Sequence, residues 1–341
     1  MKAVVYRRSA GLVFEEVPKP DIGANEVLIR VADTGFCGSD HSLVESGLVP
    51  DGYILGHETS GVIESFGKEV KSLKIGSRAM IRPTFCGKCR YCLAGRPHLC
   101  VGNRRTIGVG DLPGGFADYV KALGQMVIPI SDGVDSQSAA LVETFASALH
   151  GIKRSGVEGG SVLILGGGPI GLAAVQLAKV LGFCPIALSE PVESKRSLGR
   201  KFGAEFVIDP LSMNPAKQVA EGTQGGGFDL VLECSGIPGN VQVALDAAAK
   251  GGTVCVVSVF FKPITIERPL ILFLKELKIP VSASNTHEEN FQCLEWLRQK
   301  KLDARGLISD WTSLEDLPRL YRERIHAGKV TKAMIRIGEE F

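Results

Sequence analysis

The chain has 341 residues, 45% of them hydrophobic and 22% charged, with a formal net charge of +2. This length predicts two domains, each with its own core, and the composition excludes a disordered chain. The basic residues form no block that could track a phosphate backbone, so no nucleic-acid partner is expected. The opening Met1-Lys2-Ala3-Val4-Val5-Tyr6-Arg7-Arg8 has no apolar leader character, and no later run reaches the roughly eighteen apolar residues of a membrane span. A cytoplasmic location and no membrane partner are expected. There the nine cysteines, four of them between Cys86 and Cys100, favour metal over a disulfide framework.

The first elements read as short strands broken by turns: Ala3–Tyr6, Leu12–Glu16, and Glu26–Val31 after Gly23-Ala24-Asn25. The third leads to Thr34-Gly35-Phe36-Cys37-Gly38-Ser39-Asp40, where glycines bracket a cysteine. A lone cysteine is most often a small buried hydrophobe. Here Gly56-His57-Glu58 follows, with Gly61, Gly67 and Val70 behind it. A thiolate, a neutral imidazole and a carboxylate are the mixed ligands that an open zinc site accepts.

Cys86, Cys89 and Cys92 are spaced by two residues each, and Cys100 follows. Such spacers let successive thiolates turn back on one ion, and four thiolates close a tetrahedral shell with no open position. This is a structural metal site; the spacing is poor for neighbouring disulfides. After a return to strand character at Gly114–Val120, Ser138–His150 reads as helical. Its one acidic group, Glu143, stands among Leu141, Val142, Phe145 and Ala146, surroundings in which a carboxylate needs a cationic partner.

At Ser161 the character changes. Val162-Leu163-Ile164-Leu165 is a continuous apolar run, as in a parallel strand covered on both faces, and it enters Gly166-Gly167-Gly168-Pro169-Ile170-Gly171 before a helical stretch. Strand, glycine turn and helix together suit a pyrophosphate held at a helix N-terminus. The next apolar run, Ile186–Ser189, ends at Glu190. It stands about twenty residues past the turn, where an acid takes the ribose hydroxyl of NAD and repels the extra phosphate of NADP. Further alternation (Phe206–Asp209, Asp229–Cys234, a helix from Val241 to Ala249, Thr253–Val257, Leu277–Val281) predicts a doubly wound parallel sheet of about six strands. Helical patterns around Glu289–Leu297 and Leu314–His326 and a closing strand Ala333–Ile337 complete the chain. This last segment is too small for a domain and is expected to return to the first one.

The run G-H-E-x-x-G-x-x-x-x-x-G-x-x-V, the cysteine lobe and the glycine turn, in this order, resemble the zinc-containing medium-chain dehydrogenase/reductase (alcohol dehydrogenase) family over essentially the whole chain. The sorbitol, butanediol and threonine dehydrogenase branch is the nearest in pattern. The resemblance implies a GroES-like catalytic domain over 1–147 with a structural zinc lobe at about 84–103, a Rossmann NAD-binding domain over 148–285, and a return of 286–341 to the first domain. It implies two zinc ions per chain. The catalytic one is carried by Cys37, His57 and a carboxylate, either Glu58 or Glu143, and the structural one by Cys86, Cys89, Cys92 and Cys100. For NAD it implies contacts at Gly166, Gly168, Pro169, Ile170, Gly171 and Glu190, with Ser147 near the nicotinamide and Lys195 near the adenosine ribose. A homotetramer or dimer is the assembly that it implies.

The activity implied is hydride transfer from the secondary hydroxyl of a polyol, sugar acid or related small alcohol to NAD, with zinc as Lewis acid and Ser39 as first proton acceptor. Two rivals stand beside it: an NADPH-dependent ketone reductase on the same fold, and a non-catalytic nucleotide- or metal-sensing protein. Two departures from the family pattern bear on the chemistry. His41 stands one place earlier than the family's relay histidine, whose slot holds Ser42, and the common Glu-Pro is Glu143-Thr144.

Overall fold

A computed structural model describes residues 1–213, 223 and 226–341. It divides into two units: Met1–Glu143 with Asn290–Phe341, and Thr144–Glu289. Among the described residues no helix is long and apolar enough to cross a membrane.

The first unit is β-rich. Strands β1 (Lys2–Arg7), β2 (Gly11–Glu16) and β4 (Tyr53–Ile54) form a three-stranded sheet in the order β2-β1-β4. A larger sheet is built around β3 (Glu26–Phe36), which pairs antiparallel with β5 (Glu58–Phe66) along one edge. Its other edge is shared by β7 (Tyr119–Leu123) near the start and β15 (Ala333–Arg336) near the end. Beyond β5 come β6 (Arg78–Ile81) and β8 (Val127–Pro129), and beyond β15 comes β14 (Asp310–Ser313). Apolar side chains alternate inward along β3, where Val27, Ile29 and Val31 join Ile63, Ala79, Ile81, Val120 and Met126 in one core.

Register decides what the large sheet positions. Gly35 stands opposite both Glu58 of β5 and Met334 of β15, and Phe36 opposite Ala333. The end of β3 and the starts of β5 and β15 therefore meet at one point. Sequence reading ends the third strand at Val31, but the strand continues to Phe36, because β15 supplies ladder partners for residues that lack local strand character. From there the chain turns directly into helix α1 (Gly38–Ser46), with Cys37 as its N-cap.

The second unit holds a parallel sheet in the order β11 (Phe206–Ile208), β10 (Ile186–Ser189), β9 (Val162–Leu165), β12 (Phe228–Glu233), β13 (Ala248–Val256). All four residues of β9 and of β10 are buried, as expected of parallel strands covered on both faces. The sixth expected strand is represented by residues 278–281, which meet β13 through the single bridges Thr253 to Lys278 and Val256 to Val281. The expected helix over Ser138–His150 is two helices, Ser136–Ala140 and Val142–Ser155, interrupted at Leu141. The helix from Gly239 ends at Ala247, since Ala248 and Ala249 already belong to β13. The expected helix around Leu314–His326 is a short helix over Leu317–Leu320 followed by a wider turn over Tyr321–Ile325.

Candidate active site

Cys37, His57 and Glu58 each offer a ligand atom within 4.8 Å of the others. Cys37 comes from the N-cap of α1, Glu58 from the first position of β5, and His57 from the residue before it. Gly35 makes the approach possible. A side chain there would collide with the Glu58 carboxylate, so only glycine fits opposite it.

Asp40 orients this group, and sequence reading assigns it no role. Fully buried, it accepts the Cys37 amide at 2.9 Å and the Gly56 amide at 3.3 Å, and its Oδ1 lies 3.3 Å from His57 Nδ1. That last contact is close enough for an ion pair but off the line of a hydrogen bond, since His57 Nδ1 has no aligned partner. The carboxylate thus faces one imidazole nitrogen and leaves Nε2 for a ligand, the arrangement that fixes the tautomer of a metal-binding histidine. Nε2 lies 3.4 Å from the Ser39 hydroxyl. A signal was present in the sequence: Asp three residues after the N-cap is the reciprocal half of a capping box, and that box is formed.

The second residue that sequence reading passes over is Lys332. It is 1% exposed, and its ammonium donates to both oxygens of Glu58 at 2.7 Å and to the carbonyl of Phe36 at 3.3 Å, which uses its three protons. Burial alone would lower its pKa, but Glu58, Cys37 and Glu143 outweigh burial and raise it, so the ammonium stays charged. Glu143 itself, half-buried near the start of the helix Val142–Ser155, is not one of the three groups brought within ligand distance.

The donor chemistry fits a cation. Burial would depress the His57 pKa, yet the charges of Asp40 and Cys37 hold it well above the ordinary value. The field that keeps a proton on a fully buried imidazole is the field that a divalent ion neutralises.

The second cluster is simpler. Cys86, Cys89, Cys92 and Cys100 bring their sulfurs within 4.8 Å of one another, with Cys89 and Cys92 at 3.5 Å and Cys86 and Cys92 at 3.9 Å. Backbone amides point at them: Cys89 N to Cys86 Sγ at 3.3 Å and Cys86 N to Cys100 Sγ at 3.4 Å. Amides from Cys92 and Val101 hold the Cys89 thiol down at about 5. Such donors favour thiolate over thiol, as metal ligation requires.

In the second unit β9 runs into Gly166, whose backbone is left-handed with φ of 100°, and a helix starts at Pro169 with Gly168 as its N-cap. Ile170 and Gly171 form its first turn. Glu190 follows β10 directly and is buried; its carboxylate accepts the amide of Gly167 at 2.7 Å and that of Val192 at 2.9 Å. The acid and the glycine turn are therefore in contact. Arg196, which sequence reading does not mark, supports this corner by donating to the carbonyls of Glu190 and Pro191, both at 2.7 Å. Lys195 is half-buried in the helix Glu193–Phe202, and Ser147 accepts a hydrogen bond from Asn285 at 3.0 Å.

Two family models match parts of this chain. Residues 23–132 match the model of the alcohol dehydrogenase GroES-like domain, and residues 169–299 that of zinc-binding dehydrogenases. A sorbitol dehydrogenase of Bacillus subtilis is 31% identical, over 92% of this chain and 91% of its own. An L-threonine 3-dehydrogenase of Thermococcus kodakarensis is 34% identical, over 95% and 94%. Among solved structures, a chain from Sinorhizobium meliloti bound to NADP superposes with a TM-score of 0.89 at 32% identity, covering 98% of each chain.

Proposed function

Because the chain belongs to the zinc-containing medium-chain dehydrogenase/reductase family, with a GroES-like unit and a Rossmann unit, we propose that it oxidises the secondary hydroxyl of a polyol, sugar acid or related small alcohol with NAD. The observation that carries this reading is the group of Cys37, His57 and Glu58, with the Ser39 hydroxyl 3.4 Å from His57. Zinc bound there supplies a Lewis acid that lowers the pKa of an alcohol oxygen, and NAD supplies the hydride acceptor.

The chain's own residues do the rest. Ser39, 3.4 Å from His57 Nε2, takes the hydroxyl proton in this reading, and Asp40 faces the other ring nitrogen of His57. The carboxylate that would complete the ligand set is Glu58, the one within ligand distance of Cys37 and His57; Lys332 holds both its oxygens, and the charge of Glu143 reaches the same lysine. The four cysteines of the lobe hold the second zinc. In the other unit Gly166, Gly168, Pro169, Ile170 and Gly171 receive the pyrophosphate and Glu190 the adenosine ribose, with Lys195 beside it and Ser147 toward the nicotinamide. A homo-oligomer is part of the proposal. The Rossmann unit exposes the apolar side chains Phe261, Leu270, Phe273 and Val281, which a second copy would cover.

The NADP-bound Sinorhizobium meliloti structure favours one second reading, a ketone reductase working with NADPH. A single experiment separates them: metal analysis, then initial rates on a panel of polyols, sugar acids and their ketones with each cofactor. About two zinc ions per chain and faster alcohol oxidation with NAD are expected. Marked NADP preference would mean that Glu190 is misassigned. Fewer than one zinc would sink the metal mechanism.

A further inference from the structure

Helix α1 and the C-terminal segment share a chain of polar side chains that the proposed reaction does not use. His41 Nδ1 lies 3.1 Å from the Tyr321 hydroxyl, that hydroxyl donates to Glu45 Oε1 at 2.8 Å, and Glu45 Oε2 lies 3.5 Å from His326 Nε2. His41 is half-buried and Tyr321 is 6% exposed, and beyond them the side chains of Glu45 and His326 open to solvent at 47% and 56%. At the buried end the Tyr321 ring packs on Phe36, the neighbour of Cys37, with centroids 5.7 Å apart. The rings of His41 and His326 also meet edge to face at 5.9 Å, which brings the two ends of the chain of polar groups together.

We infer that His41, Tyr321, Glu45 and His326 form the exit by which the proton of the oxidised alcohol reaches solvent. The inference rests on the dehydrogenase reading. Oxidation of a secondary alcohol by NAD sends the C–H hydrogen and its electron pair to the nicotinamide and leaves the O–H proton to be removed. Ser39 and His41, two apart on one helix, do not face each other, so the proton passes between them through water or a further hydroxyl of the substrate. His41 then donates from Nδ1 to the Tyr321 oxygen while the proton of Tyr321 passes to Glu45, and Glu45 releases it to His326 or water. One proton enters and one leaves, and the phenol never ionises.

The surroundings suit these roles. Burial, then the bond to Glu45 and its charge, push the Tyr321 phenol above its ordinary range, so it stays neutral and both donates and accepts. The Tyr321 hydrogen bond, against slight burial, and then the charges of His326 and His41 hold Glu45 below the usual carboxylate value, so it remains an acceptor. Tyr6 is a further ionisable neighbour of Tyr321, and Arg324 is engaged by Asp310 at 2.8 Å. Ser42, in the slot where the family pattern has its relay histidine, spends its hydroxyl on the Gly38 carbonyl at 3.0 Å within the helix. The displaced histidine has found a different partner, on the C-terminal segment.

The test compares the zinc-loaded full chain with Tyr321→Phe, which keeps the ring against Phe36, and with Glu45→Gln. Alcohol oxidation in Tyr321→Phe should lose about tenfold or more in kcat with KM little changed, and its solvent deuterium isotope effect should rise. Independently of turnover, nitrogen-15 spectra of the histidines should show His41 Nδ1 losing its hydrogen bond in Tyr321→Phe. If kcat stays within twofold of the parent and the isotope effect is unmoved, the exit is wrong, even if melting temperature falls. If the parent forms no NADH with any alcohol of the panel, the dehydrogenase reading fails and the exit fails with it.

Discussion

The two metal-type clusters of the first unit are built by opposite means. The cysteine lobe takes four like ligands from one short segment and leaves them partly exposed. The Cys37 group takes three unlike ligands from the ends of β3 and β5 and sets a buried lysine from β15 against one of them. The first needs only chain that can turn back on itself; the second needs the register of a whole sheet. A site closed by local spacing contributes to folding, whereas a site held by distant strands keeps its ligands in place whether or not an ion binds, which suits chemistry at an open position.

That contrast can be broken at three points. His57→Ala should lower alcohol oxidation by roughly a thousandfold or more while far-ultraviolet circular dichroism stays that of the parent; retained activity would remove the Cys37 group from the reaction. Lys332→Met leaves the Glu58 carboxylate buried without its cation and should cost about 3–5 kcal/mol in urea unfolding. Adding Glu58→Gln should recover much of the loss, and failure to do so would mean that the lysine acts by packing. Cys89→Ser should remove one metal equivalent and cost on the order of 2 kcal/mol, with kcat per folded chain nearly unchanged. A larger fall in kcat than in stability would erase the distinction between the clusters.

How legible these features are in the sequence follows the same contrast. The lobe is visible because its ligands are neighbours, and so is the turn at Gly166–Gly171, because strand, glycines and helix follow each other directly. Cys37, His57 and Glu58 stand out by their glycine context. Lys332 does not: its partner is 274 residues away, and a lone lysine before a closing strand reads as a solvated charge. The last residues of β3, Asp33–Phe36, are hidden for the same reason, since β15 pairs with them. Asp40 was legible as a capping residue, and only the fold shows that the same carboxylate faces His57. His41 is out of place by one position, and nothing local announces that Tyr321 receives it.

The Glu58 to Lys332 pair also sets an order of events. The second unit, Thr144–Glu289, is one continuous stretch and can close as soon as it has left the ribosome. The first unit begins the chain and yet is completed by its end, because the cation that lets Glu58 be buried as a carboxylate is Lys332. The residues made first are thus among the last to be locked, and a chain cut short before Thr331 would leave the Glu58 carboxylate without its cation.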